Sequence, residues 1–92
     1  MNGIERIAAE RQRQIEVEGW TPEHDDMYDN GELAAAAACY AADKRRYTYA
    51  PPPQWPWDAK WWKPDSHIRS LEKAGALIAA EIDRRIRAGE TE

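Results

Sequence analysis

Two runs near the N-terminus hold the side chains best suited to chemistry: Glu10-Arg11-Gln12-Arg13-Gln14 and Gly19-Trp20-Thr21-Pro22-Glu23-His24-Asp25-Asp26. The first reads as the end of a helix and the second as a polar loop. A surface loop needs only solvated groups and turn formers, so this density of ionisable side chains points to a site. Arg11 and Arg13 suit phosphate, because a guanidinium offers a planar fork of donors to two anionic oxygens. Arg69 and Lys73 stand one turn apart in the N-terminal half of an expected helix, where the dipole also favours an anion. His24, Asp25 and Asp26 supply donors and acceptors for the polar edge of a ligand. The alternative for these groups is structural: Glu72, Asp65 and the acidic loop can pair with Arg69 and Lys73, and His24 can simply form a loop hydrogen bond.

Metal-assisted hydrolysis is poorly furnished by comparison. Magnesium asks for several oxygens in octahedral array. Glu32 is the lone acid before a run of alanines, and Glu72 and Glu81 are nine positions apart on one expected helix. A metal site here draws on Glu32, Asp25, Asp26 and Glu72, and magnesium enters only with such an enzyme; otherwise no cofactor, metal ligand or catalytic residue is expected. Cys39 sits among alanines without a histidine beside it, so its thiol reads as inert. His67, near the start of the last expected helix, reads as a surface residue.

The elements that must position these groups are three helices. The first spans about residues 3–17, with Asn2 as N-cap, Glu5 three places on, and Ile4, Ile7, Ala8, Arg11 and Ile15 along one stripe. The second spans about 31–46, opened by Asp29-Asn30-Gly31-Glu32, with Leu33, Ala36, Ala37, Tyr40 and Ala41 as its packing face. The third spans about 65–87, with Asp65 as N-cap. Its Ile68, Leu71, Gly75, Ile78 and Ile82 repeat at spacings of 3, 4, 3 and 4, and Ala74, Leu77 and Glu81 form an adjoining stripe. Such near-heptad spacing suits antiparallel bundle packing.

Residues 47–64 join the last two helices with five prolines and six aromatics. A loop this long in a small domain has a task. It can cap the core, wall a planar ligand through Trp57, Trp61, Trp62 or Trp55, or meet a partner. Trp20 joins the same aromatic set.

Ninety-two residues make one domain, 1–92, with five Trp, four Tyr, no Phe and few branched aliphatics. Alanine-lined helices bury little area each, at ~25 cal/mol per Å², so a homo-oligomer sharing its bundle core is expected over a monomer held by its tryptophans. The formal charge is -4, with seven acids between residues 16 and 32 and basic clusters at Lys44-Arg45-Arg46 and Arg84, Arg85 and Arg87. Those clusters suit helix C-termini, and without a continuous basic stripe nucleic acid is an unlikely partner. A single cysteine fits a reducing, cytoplasmic setting. No apolar run is long enough for a membrane span, so no membrane partner is expected.

The order Glu-Arg-x-Arg-Gln, a Gly/Trp pair, His-x-Asp and then Glu-Leu-Ala resembles a family of small phage and prophage proteins of unknown function. Lys-Ala-Gly-Ala-Leu-Ile-x-Ala-Glu-Ile, at Lys73 to Ile82, matches the closing pattern of that family. More distantly, the layout is similar to the MazG-like nucleotide pyrophosphohydrolases. That resemblance implies an all-α, oligomeric protein, magnesium, and a Glu-Glu-x-x-Glu helix followed by Glu-x-x-Asp. The first motif falls on Gly31-Glu32-Leu33-Ala34-Ala35, with one acid of three. The second falls near Ser70-Leu71-Glu72-Lys73, where an ammonium replaces the expected Asp. An ammonium repels a metal ion and attracts phosphate.

The expectation is therefore an all-α phage accessory protein in the cytoplasm of an infected or lysogenic bacterium. It binds a nucleotide-type ligand without hydrolysis and sequesters a host defence signal, a counter-defence role. Arg11, Arg13, Trp20, His24, Asp25, Asp26, Trp57, Trp61, Trp62, Arg69 and Lys73 form the expected site. The alternatives are a magnesium-dependent MazG-like hydrolase, and an acidic inhibitor that presents the 16–32 edge to a host nucleic-acid enzyme.

Overall fold

In a computed structural model, residues 1–42 and 50–91 are described, and they are all helical or loop, with no strand among them. Four α-helices appear in chain order: α1 Gly3–Glu16, α2 Pro22–Asp25, α3 Glu32–Ala41 and α4 His67–Arg87. A 3-10 turn, Ala59–Trp61, lies in the long loop. The middle helix ends at Ala41 with Ala42 as its cap, so the expected extension to Arg46, the Lys44–Arg46 cluster, Tyr47 and Tyr49 lie outside the described residues.

Local chemistry accounts for the helix ends. Asn2 Oδ1 accepts from the Glu5 amide at 2.9 Å while Glu5 Oε1 accepts from the Asn2 amide at 2.8 Å, the expected capping box. The cap of α4 is Ser66 rather than Asp65. Ser66 Oγ accepts from the Arg69 amide, whereas the Asp65 carboxylate accepts from the Ser66 amide one residue on. At its far end, Gly89 (φ 90°) allows the amides of Gly89 and Glu90 to reach back to the carbonyls of Ile86 and Arg85. The short α2 sits inside the stretch expected as loop. Pro22 occupies its first turn, and Thr21 Oγ1 accepts from the His24 amide.

Helix α4 is the axis, touched by α1, α2 and α3. The core lies between α3 and α4, built from Leu33, Ala36, Ala37, Cys39 and Tyr40 against Ala74, Leu77 and Ala80, with Trp55 and Trp62 closing it from the loop. Ala41, expected on the packing face of α3, is exposed, and Cys39 takes the buried position.

The largest departure from expectation concerns α4. Its Ile68, Leu71, Ile78 and Ile82 line faces outward, and the adjoining line through Ala74, Leu77 and Glu81 makes the core. The alanines of α3 permit a close helix approach that small residues on α4 can match and isoleucines cannot. The stripe on α1 is also turned: Ile4 and Ala8 are exposed, Ile7 and Ile15 half-buried, while Glu10 and Gln14 are buried. The reason is electrostatic. The side of α4 that meets α1 presents Arg69 and Glu72, and these need charged partners more than they need isoleucine.

Candidate functional site

Three salt links lock the site's framework. Arg11 donates to Asp25 Oδ2 at 2.7 Å and to the Trp20 carbonyl at 3.2 Å, tying α1 to α2. Arg87 donates to Asp26 Oδ1 at 2.7 Å and to the Pro22 carbonyl, tying α2 to α4. The third is a chain of alternating charge between α1 and α4. Arg13 grips Glu10 with two donors, Arg69 bridges Glu10 and Glu72, and Arg6 closes on Glu72 at 3.0 Å. Burial raises the Glu10 carboxyl, but its hydrogen bonds from Arg13 and Arg69 outweigh that and hold it below its ordinary range. Glu72 is lowered by the hydrogen bonds of Arg69 and then Arg6.

The tryptophan loop is held by a continuous aromatic relay. His24 meets Tyr28 edge-on, Tyr28 meets Trp57, Trp57 meets Trp55, and Trp62 stacks on Tyr40 at 4.8 Å. Tyr40 and Lys73 then clamp one peptide unit. The Lys63 amide donates to Tyr40 Oη at 3.2 Å, and Lys73 Nζ donates to the Lys63 carbonyl at 2.6 Å. Burial, followed by the neighbouring Arg69, lowers the Lys73 ammonium. It keeps two donors uncommitted to that carbonyl.

These contacts leave two adjoining hollows of about 290 Å³ and 360 Å³, which share Glu18, Trp20, Tyr40, Trp61 and Leu77. They make one groove with two characters. The smaller half carries Arg13, Lys63, Arg69 and Lys73 against Glu10 and Glu18. The larger is walled by Trp20, Tyr28, Trp55, Trp57 and Trp61, with His24, Asp25 and Asp58 on its edges. The only buried side-chain polar atoms without a hydrogen-bond partner among the described residues are Gln14 Oε1, His24 Nδ1 and Trp57 Nε1. All three belong to residues lining this groove, Gln14 in the cationic half and the others in the aromatic half. His24 Nδ1 does stand 3.5 Å from Asp25 Oδ1, which counts as an ion contact only when the ring is protonated and is too long for a good hydrogen bond.

No protein-family model, curated protein or solved structure matches this chain.

The groove brings together Arg13, Trp20, His24, Asp25, Trp57, Trp61, Arg69 and Lys73, eight of the eleven expected residues. Three lie elsewhere. Arg11 is spent on Asp25, Asp26 on Arg87, and Trp62 is in the core, where an indole buries more apolar area than an alanine helix can otherwise find. Of the acids considered for magnesium, Asp25, Asp26 and Glu72 face arginines and Glu32 accepts from the Asn30 amide. Among the described residues no group of three His, Cys, Asp or Glu is placed to hold a metal ion. Cys39 is buried, which raises its thiol above the ordinary value, and His67 is exposed, as expected of a surface residue.

Glu10, Gln14, Glu18, Lys63, Tyr28 and Asp58 line the groove without belonging to the expected site. A signal was present for the first three, since positions 10, 14 and 18 recur at four-residue spacing, a polar line along α1 and just past it. Lys63 carried none, because only the fold brings the loop's end against Lys73.

Proposed function

We propose that the protein binds a nucleotide-type ligand in this groove, base in the aromatic half and phosphate in the cationic half, without hydrolysing it. The observation that carries the reading is one groove whose halves differ in chemistry and whose lining includes all three residues that hold an unpartnered buried polar atom. Buried polar atoms without partners are costly and rare, and a ligand edge that satisfies them recovers that cost. An indole donor and an imidazole nitrogen suit the heteroatoms of a base, and indole faces suit its ring. Glu18 lines both halves, at the junction where a sugar would lie, and a carboxylate there can accept from ribose hydroxyls. Arg13 and Arg69 are held by Glu10 and Glu72, so the cations turned to a phosphate there are chiefly Lys63 and Lys73, with the arginines backing them.

Because Asp25, Asp26 and Glu72 are already engaged with arginines, binding is favoured over magnesium-dependent pyrophosphate release. The same neutralisation weakens the acidic-inhibitor alternative, since Arg11 and Arg87 cancel two acids of the 16–32 edge. In keeping with the resemblance to small phage proteins, the reading extends to a phage accessory protein that sequesters a host nucleotide signal in the bacterial cytoplasm. It includes self-association, which a core resting so heavily on alanine invites.

Calorimetric titration tests it, with nucleoside monophosphates and cyclic nucleotides set against bare nucleosides and inorganic phosphate. A nucleotide should bind at least about ten-fold more tightly than either half alone, because linking the two parts makes the second contact intramolecular. Silence from every nucleotide, or pyrophosphate released from a triphosphate in magnesium, removes the proposal.

A further inference from the structure

The outward line of α4 is an exposed apolar face. Ile68, Leu71, Ile78, Ile82 and Ile86 are each between 48% and 65% exposed. They follow one side of the helix for about 27 Å at 1.5 Å per residue. No charged residue interrupts the line between Ile68 and Ile82, because its middle position is Gly75. There the gap is filled from α1: a Cβ on Gly75 would fall 2.5 Å from Ile7 Cδ1, so Ile7 continues the apolar surface at that level. Ile4, one turn earlier on the same side of α1, is 80% exposed and extends it. The patch amounts to on the order of 600 Å², at the top of what a monomer carries and close to the area each partner of a stable interface buries.

We infer that this α4 face docks against the same face of a second copy of the chain. The 3-4-3-4 spacing is a narrow helix-to-helix seam, matched in width and periodicity by another copy of itself. Charge points the same way. A two-fold interface sets each rim against its own kind, so it tolerates only rims that are neutralised at home. Here the exposed Arg85 beside the stripe is paired with Glu81 and Glu90, while Glu72 and Glu81 are themselves buried against arginines of their own chain. A lipid surface asks instead for uncommitted cations beside the apolar stripe, and a chain of formal charge -4 does not favour anionic lipid. The inference is independent of the groove and its ligand.

Sedimentation velocity across a dilution series decides it. The wild type should run at twice the chain mass at about 100 µM and dissociate on dilution. Ile78→Glu and Ile82→Glu should each run as monomers with unchanged helical circular dichroism. The milder Ile78→Ala/Ile82→Ala pair, which keeps helix propensity, should raise the dissociation constant by about ten-fold or more. A monomeric wild type at the top concentration overturns the inference, as does a dimer whose dissociation constant the alanine pair leaves unmoved. Binding of the monomeric wild type to anionic vesicles would assign the face to lipid instead.

Discussion

The two sides of α4 invert the usual arrangement. The inward side buries Ser70, Glu72, Glu81 and Arg84 among alanines and one leucine, while the outward side shows five large aliphatics to solvent. Hydrophobic periodicity identifies a stripe but not which neighbour covers it. On the inner side, specificity comes from partners on α1: Arg69 pairs with Glu10 at 2.9 Å, and Glu72 with Arg6 at 3.0 Å. Buried ionic groups often contribute no more net stability than apolar packing, and these two pairs tie α1 to α4 through charge rather than area. The outer side makes no such discrimination within the chain and stays exposed.

The sharpest way to break this contrast is a matched pair of truncations. Leu77 is 2% exposed at the centre of the core, and Leu77→Ala should cost about 3 kcal/mol in urea denaturation at low protein concentration. Ile82→Ala, in the same helix, should stay within about 0.5 kcal/mol under those conditions. Equal losses at the two positions would mean that the outer stripe is packed within one chain. Next in size is the link between α1 and α2. Asp25 is buried against Arg11, so Asp25→Ala leaves a guanidinium largely shielded and unpaired, at about 2 kcal/mol. A urea midpoint that does not move would show that this ion pair only decorates the loop.

A smaller effect is expected from pH. The carboxyls of Glu10, Glu72 and Glu81 all sit below their ordinary value of 4.5 in the folded chain. Their stabilisation is therefore complete above about pH 4.5 and is lost as pH falls through the lowered folded values, where the unfolded chain binds more protons. Glu10's partners Arg13 and Arg69 are each about one-third exposed, so solvent screens part of the gain. The urea midpoint should drop between pH 7 and about pH 3, and Glu10→Gln should drop less. A wild-type midpoint equal at both pH values would sink the account.

Much of this was legible beforehand, and the failures have a common cause. Local signals located the three longer helices but not α2: the Asn2–Glu5 box, the alanine run, and Gly89 after the basic last turn. Eight of the expected ligand residues share the groove because they were chosen by chemical type, which survives folding. Errors arose wherever the answer depended on a contact distant in sequence. Arg11 and Asp26 look like ligand groups until Asp25 and Arg87 claim them, the latter from 61 positions away. The isoleucine stripe looks like core until the alanines of α3 prove to fit a different line of α4.

The finest separation between folding and binding lies in one indole nitrogen. Trp57 packs against Tyr28 and Trp55, and its Nε1 has no hydrogen-bond partner among the described residues. In a residue kept only for packing, the N–H is a liability, and Trp57→Phe trades some buried area for removal of an orphaned donor. Those terms oppose each other, so stability should change by less than about 1 kcal/mol. If the donor is there to meet a base, the same substitution weakens nucleotide binding about ten-fold while leaving inorganic phosphate binding unchanged, since the phosphate end lies in the other half of the groove. Equal loss for both ligands would place the effect in the fold, and no loss for either would make the indole a packing residue after all.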